Sequence, residues 1–191
     1  MAKLWRTLCF LLLAGLAAWP AAAWARYAAI LVDAETGAVL QAVEPTTRWY
    51  PASLTKMMTV YLAFEAIEAN RLDLDEQLAI SMHAASQSPT ELGLGAGQKI
   101  ATEQAILAVI LQSANDAAVV LAERIAGSEP AFAAAMTIRA RELGMTRTVF
   151  RNASGLPHPE QVTTARDMAV LGRALIDDFP QHYHYFSAKA F

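Results

Sequence analysis

Two short runs of β-prone residues precede a chain that otherwise follows a helical pattern, and this order limits the fold classes available. The runs cover residues 27–32 and 38–43, and Gly37 between them can take a positive φ, so we expect a hairpin. After Pro51, apolar residues recur with a helical period. A short strand is predicted at 77–81. Further helices are predicted at 102–111, with Thr102 as N-cap, at 116–125, ended by Gly127, at 129–143, after Ser128, and at 164–177, where Thr164 and Asp167 have capping-box spacing. A strand pair followed by helices predicts an α+β domain, whose sheet we expect to be incomplete because a lone hairpin is marginal.

The first residues have the pattern of an export signal. Lys3 and Arg6 precede a short apolar stretch, and an A-x-A cleavage site ends at Ala25. We therefore predict a signal peptide over residues 1–25 and a mature periplasmic domain over 26–191. An uncleaved anchor is the alternative, but the apolar stretch is shorter than the ~20 residues that a bilayer requires. No other membrane attachment is predicted in this chain.

Charge and cysteine content exclude several classes of protein. Without its first 25 residues the chain has 13 Lys and Arg against 18 Asp and Glu, a net charge of −5, so no nucleic-acid partner is expected. Cys9 is the single cysteine and lies in the predicted signal. The mature protein is thus expected to have no disulfide and to be stabilised by packing.

The tetrad Ser53-Leu54-Thr55-Lys56 lies at the predicted start of the helix after Pro51. A spacing of three places Ser53 and Lys56 on one helical face. A desolvated lysine can remove the proton of a serine hydroxyl, and the helix N-terminus favours negative charge on the serine oxygen. In the alternative interpretation, Ser53 caps the helix and Lys56 lies in solvent. The tetrad alone does not decide between the two.

A second polar group, Ser113-Ala114-Asn115, falls between two predicted helices. Ser113 could pass a proton between Lys56 and a leaving group, and Asn115 could hold both the lysine and a substrate amide. Alternatively, the segment is a polar helix joint in which Asn115 caps the next helix. Serine-x-x-lysine followed by serine-x-asparagine is the combination found in penicillin-binding proteins and class A β-lactamases.

Longer runs of sequence extend the match to one family. From about Tyr27 to its end, the chain resembles the D-alanyl-D-alanine carboxypeptidase family of low-molecular-mass penicillin-binding proteins. The segments that carry this resemblance are residues 51–59, 111–117, 144–150, 154–156 and 163–169. The resemblance implies a β-lactamase/transpeptidase-like fold. It also implies a hydrolase that removes the terminal D-alanine from peptidoglycan stem pentapeptides and is acylated by β-lactam antibiotics.

The same resemblance implies roles for individual residues. By it, Ser53 is the catalytic nucleophile, Lys56 the proton acceptor and Ser113 a third catalytic residue. Asn115 is expected to bind substrate. The family requires no metal and no organic cofactor, so none is predicted.

The chain departs from the family pattern after Ser113. No Lys-Thr-Gly triplet follows, and Lys189 precedes Ala190 and Phe191. In the family this triplet lies on a strand that lines the cleft, so we expect the chain to be truncated and residues 26–191 alone to be nearly inactive. Two alternatives remain: a truncated non-catalytic relative, and a class A β-lactamase-like hydrolase, although no E-x-x-L-N segment follows Ser113.

The histidines give weaker signals. His182 and His184 form a pair without a carboxylate at metal-ligand spacing, so we interpret them as surface residues. His83 and His158 are conceivable catalytic bases, but Lys56 near Ser53 makes them unnecessary.

Overall fold

The N-terminal hairpin forms as predicted. In a computed structural model, which describes residues 27–189, strand β1 (Ala29–Val32) pairs antiparallel with β2 (Val39–Val43). Gly37 in the turn has a φ of 71°, the left-handed conformation that glycine adopts without steric cost. The predicted signal peptide and its cleavage site lie outside the described residues.

A second small sheet is separate from the hairpin. Strand β3 (Gln77–Ala79) pairs antiparallel with β4 (Lys99–Ala101). Leu78 and Ile100 lie opposite each other in this pair, and both are buried in the main core. Residues 27–189 thus contain two two-stranded antiparallel sheets, and the predicted α+β class is confirmed.

Helices make up most of the remaining structure. The described part of the chain contains six α-helices: α1 (Thr55–Glu68), α2 (Met82–Ala85), α3 (Thr102–Gln112), α4 (Asn115–Ala126), α5 (Glu129–Glu142) and α6 (Ala165–Asp178). Two 3-10 helices accompany them, at Ala52–Leu54 and Tyr183–Ser187. No helix within residues 27–189 is long and apolar enough to cross a bilayer.

Helices α1 and α4 form the centre of the core. Ten of the 14 residues of α1 are buried, and so are the first eight of the 12 residues of α4. A helix that is buried on nearly all sides needs apolar residues around its whole circumference, which both sequences provide. Because α1 carries Lys56 and α4 begins at Asn115, these two central helices set the positions of both predicted motifs.

Several helix ends follow the predicted capping pattern. Gly127 ends α4 with a φ of 78°, and the Ser128 hydroxyl accepts a hydrogen bond from the backbone of Ala131 to start α5. The Thr164 hydroxyl likewise accepts one from the backbone N–H of Asp167 at 3.1 Å. These contacts confirm the predicted boundaries to within about two residues.

One local prediction is wrong, and one element was not predicted. Thr102 was expected to cap α3, but Ala101 is the N-cap, and the buried Thr102 hydroxyl donates to the carbonyl of Glu76 at 3.3 Å. The segment after α6, to which no element was assigned from the sequence, forms the 3-10 helix Tyr183–Ser187. Tertiary contacts explain both differences. Pairing of β4 with β3 fixes the position of Thr102, and packing of the C-terminal segment on α1 stabilises its 3-10 helix.

His182 shows the effect of that packing. Its ring stacks on Phe64 of α1 with centroids 4.7 Å apart, and its Nε2 lies 2.7 Å from Oε1 of Glu68. His182 is 9% exposed, so its assignment to the surface was wrong. The carboxylate partner is 114 residues away in sequence, which is why a search at short spacing missed it.

We predict that Phe64→Ala strongly destabilises the domain. Phe64 is fully buried and packs against the aromatic rings of Phe179 and Tyr185 as well as His182. Removing a buried phenylalanine side chain costs about 3–5 kcal/mol of unfolding free energy. Urea denaturation of Phe64→Ala measures the loss. The matched control is Ile138→Ala on α5, because Ile138 is 61% exposed. This control should change stability by less than about 0.5 kcal/mol, and equal losses in the two variants would contradict the packing argument.

Candidate active site

Ser53 lies in the short 3-10 helix Ala52–Leu54, which leads directly into α1. Ala52 before it has a φ of 47°, which is uncommon for a residue with a side chain and marks local backbone strain. Ser53 is exposed, and neither this turn nor α1 has a side-chain capping hydrogen bond. The interpretation of Ser53 as a helix cap is therefore wrong, and its side chain stays accessible at the start of the helix.

Lys56 is buried one turn after Ser53. Its side chain is 5% exposed, and its amine donates hydrogen bonds to Oδ1 of Asn115 at 2.7 Å and to the carbonyl of Ser154 at 2.5 Å. Both acceptors are neutral. The amine is thus fixed by two oxygens without being paired to a carboxylate within the described residues.

This environment changes the acid–base behaviour of the lysine. Burial lowers the pKa of Lys56 from 10.5 to about 8, because the charged ammonium loses its hydration. A neutral amine still donates two protons, which match the two oxygens observed, and it retains one lone pair. Lys56 can therefore act as a base near neutral to mildly alkaline pH.

Ser113 ends α3 in a strained conformation. Its φ of 56° places it in the left-handed region, in the short connection that turns the chain into α4. Its hydroxyl oxygen is buried and makes no hydrogen bond within residues 27–189. An unpaired buried hydroxyl is costly unless it has a further role, which makes Ser113 a candidate for proton transfer.

One cavity brings three of the predicted residues together. It has a volume of about 500 Å³ and is lined by Ser53, Lys56 and Ser113. Its remaining wall is largely apolar and includes Val109 and Phe186. The predicted residues that the sequence separates by 60 positions thus face the same space.

Asn115 contributes differently. It is 4% exposed and holds the Lys56 amine through Oδ1, while its amide nitrogen is 3.5 Å from the carbonyl of Ser88. It is not among the residues that line the cavity around Ser53. Positioning of the lysine is therefore the observed contact of Asn115, and substrate binding stays a prediction.

The segment at 152–155 is the part of the site that sequence reasoning did not assign. The carbonyl of Ala153 accepts from the hydroxyl of Thr59 at 2.7 Å, and its N–H donates to Oε1 of Glu129 at 3.0 Å. These contacts fix the adjacent Ser154 carbonyl, which accepts from Lys56. A Ser-Gly-Leu run was visible in the sequence, but the function of its backbone was not.

Gly155 brings this segment against the turn that carries Ser53. It has a φ of 91°, and a Cβ at this position would lie 2.0 Å from the carbonyl oxygen of Ala52 and 3.1 Å from the backbone nitrogen of Ser53. No side chain fits in that space. Glycine is therefore required here on two grounds, conformation and close approach.

The histidines lie outside this constellation. His83 is 2.7 Å from Oε2 of Glu129, and His158 lines a neighbouring cavity rather than the one around Lys56. Among residues 27–189 no three His, Cys, Asp or Glu side chains are grouped to hold a metal ion.

We predict that Gly155→Ala is considerably more destabilising than Gly93→Ala. Both glycines have positive φ, 91° and 76°, but nothing lies within 4 Å of a Cβ at Gly93. Gly93→Ala therefore measures only the cost of placing alanine at a positive φ, of order 1 kcal/mol of unfolding free energy. The overlap at Ala52 should add about 1–3 kcal/mol. Chemical denaturation of both variants tests this, and equal losses would show that the close approach has no energetic effect.

We also predict that the amine of Lys56 titrates near pH 8. NMR titration of labelled lysine side chains, with Lys56→Met to identify the signal, measures this pKa directly. Because the pKa falls on folding, the native state releases the proton at lower pH than the unfolded state does. Stability of the parent relative to Lys56→Met should therefore rise between pH 8 and 10.5. If Lys56 titrates at its ordinary pKa, the amine is not buried without a carboxylate partner as described.

Comparison with known proteins places this chain in a family. The profile of the D-alanyl-D-alanine carboxypeptidase family matches residues 17–191. The D-alanyl-D-alanine carboxypeptidase DacC of Escherichia coli is 38% identical over 168 residues, which cover 85% of this chain and 42% of that protein. The chain thus spans less than half the length of this curated relative.

Solved structures agree in fold. The D-alanyl-D-alanine carboxypeptidase DacD of Francisella tularensis superposes with a TM-score of 0.83 at 38% identity, over 85% of this chain and 39% of that one. An ampicillin-bound penicillin-binding protein of Listeria monocytogenes gives a TM-score of 0.67 at 32% identity, over 81% and 62% of the two chains. Sequence and fold together show that the chain belongs to the D-alanyl-D-alanine carboxypeptidase family.

Proposed function

We propose that the protein is a serine-type D-Ala-D-Ala carboxypeptidase that acts on peptidoglycan stem pentapeptides through an acyl-enzyme on Ser53. The observation that carries this proposal is the buried amine of Lys56. Within residues 27–189 this amine has no carboxylate partner, and it lines the same cavity as the exposed Ser53. The family supplies the reaction class, since its members matched here are named for this activity.

In the proposed acylation step, the Ser53 oxygen attacks the carbonyl carbon of the penultimate D-alanine. The neutral Lys56 amine accepts the hydroxyl proton through its lone pair, and a positioned base contributes roughly 10²–10⁴ in rate. The positive end of the α1 dipole favours the negative charge that develops at the carbonyl oxygen. The peptide C–N bond then breaks and leaves an ester on Ser53.

Ser113 completes the proton path. The departing D-alanine nitrogen requires one proton, and we assign its delivery from Lys56 to the buried Ser113 hydroxyl, which lines the same cavity. Water then attacks the ester while Lys56 accepts one of its protons and passes that proton to the leaving Ser53 oxygen. This step releases the shortened peptide and restores the Ser53 hydroxyl and the neutral Lys56 amine. The cycle balances without a metal ion or redox cofactor as a reactant.

The same serine accounts for inhibition by β-lactams. A β-lactam carbonyl would acylate Ser53 by opening its ring, and the Listeria monocytogenes relative was solved in an ampicillin-bound form. We propose that ampicillin and related compounds acylate this protein at Ser53. We further propose that residues 1–25 direct export, which would place the enzyme in the periplasm with its peptidoglycan substrate.

We predict that a fluorescent penicillin labels the protein on long incubation, since slow acylation is expected of this chain, and that Ser53→Ala abolishes labelling. The serine oxygen is the atom that becomes acylated, so its removal should eliminate the labelled band in a denaturing gel. Ser86→Ala is the matched control, because Ser86 is exposed and its hydroxyl bonds to the carbonyl of His83, away from the cavity. This control should label as the parent does.

Two results would oppose the proposal. Undiminished labelling of Ser53→Ala would exclude Ser53 as the nucleophile. A folded parent protein that is neither labelled nor active on a D-Ala-D-Ala peptide would favour the alternative of a non-catalytic relative.

A further inference from the structure

A cleft of about 320 Å³ on one side of the candidate active site is unusually basic. Four arginines line it, while Glu160 is the single acidic residue in its wall. The arginines are Arg48, Arg141, Arg147 and Arg151. The whole chain has a formal net charge of −3, so this concentration of positive charge opposes the average. We name these four residues and the space between them the arginine cleft.

Backbone pairing builds the arginine cleft from distant segments. An isolated antiparallel bridge joins Val149 to Val162, and another joins Trp49 to Thr163. These bridges bring the segments around Trp49, Val149 and Thr163 side by side. Arg147 lies in the turn before Val149 and Arg151 in the bend after it, and all three line the arginine cleft. Pairing therefore brings Arg48 to the other three arginines, which lie within residues 141–151.

Most of this positive charge is not neutralised by a carboxylate. A guanidinium N–H of Arg147 donates to the carbonyl of Thr46 at 2.7 Å, and one of Arg141 donates to the carbonyl of Met145 at 2.8 Å. These neutral partners orient the side chains but leave the charge. Arg48 makes no hydrogen bond or ion pair with the other described residues.

Arg151 is the exception within the arginine cleft. Its Nε donates to Oε2 of Glu160 at 2.9 Å, and the two side chains are 41% and 67% exposed. An ion pair this exposed contributes little energy. A ligand carboxylate could therefore displace Glu160 at small cost.

The arginine cleft continues the surface that carries the nucleophile. A neighbouring apolar cavity of about 350 Å³ is lined by Ala52, Leu156 and Pro159, and Pro159 also lines the arginine cleft. Arg48 precedes Ser53 by five residues, which an extended chain spans in at most roughly 18 Å. A ligand of a few residues could therefore reach from one to the other.

The proposed reaction decides which part of a substrate would lie there. A carboxypeptidase releases one C-terminal residue, so a subsite several residues from the nucleophile can contact only the acyl side of the peptide. Guanidinium groups bind carboxylates through paired N–H donors. Resting on the proposed function, we propose that the arginine cleft binds carboxylates of the substrate peptide N-terminal to its D-Ala-D-Ala end and so selects acidic peptides.

A matched pair of peptides tests this proposal. The probes are L-Ala-γ-D-Glu-L-Lys-D-Ala-D-Ala and the same peptide with the glutamate α-carboxylate amidated. Binding is measured by calorimetry with Ser53→Ala to prevent turnover. We expect the free acid to bind about tenfold more tightly than the amide, with a preference that weakens as salt is added.

Arginine variants locate the effect. In Arg48→Gln/Arg151→Gln the two peptides should bind equally. Arg173→Gln, on α6 and outside the arginine cleft, should retain the preference. Glu160→Gln should strengthen binding of the acidic peptide, because it frees Arg151. An opposite change in this variant would contradict the proposal.

Other outcomes separate this proposal from the proposed function. If the protein with intact arginines binds both peptides with equal affinity, the proposed carboxylate subsite is overturned. Binding of inorganic phosphate would not change this conclusion. If Ser53 is acylated by penicillin in that case, the proposed function stands and this inference fails. If the acid is preferred but Ser53 is not acylated, the arginine cleft is supported and the proposed function fails.

Discussion

The hydrogen bonds of the Lys56 amine hold the site together. They join α1 to the start of α4 through Asn115 and to the 152–155 segment through the carbonyl of Ser154. A buried ammonium or amine without partners would be strongly unfavourable, so both oxygens must be in place for the core to close around α1. The group proposed to perform the chemistry is thus also the group that aligns three segments of the backbone.

Much of the fold was predictable because its signals are local. The hairpin turn, Gly127, Ser128 and Thr164 each act over three or four residues, and sequence spacing captures such contacts well. The pairing of Ser53 with Lys56 is of the same kind, one turn of one helix. Ser113 was found because its motif companion was present, not because any periodicity placed it near Lys56.

The remaining features depend on contacts between distant residues, which spacing does not encode. The carboxylate of Asp116 accepts backbone hydrogen bonds from Leu92 and Leu94 and thereby holds the loop before β4 against α4. Asp167 similarly accepts from the backbone of Arg147. Such buried acids resemble ordinary surface residues in sequence. The arginine cleft was missed for the same reason, since backbone bridges bring Arg48 to the arginines of residues 141–151.

The long sequence separations at Lys56 have a consequence for folding. Its two hydrogen bonds close loops of 59 and 98 residues, and contacts of such separation form late because chain entropy opposes them. A partly folded chain could contain α1 and the N-terminal hairpin while its lysine remains hydrated and fully basic. The acidity of this one amine is therefore a sensitive reporter of the final docking step, and it distinguishes a compact intermediate from the native domain where helix content alone would not.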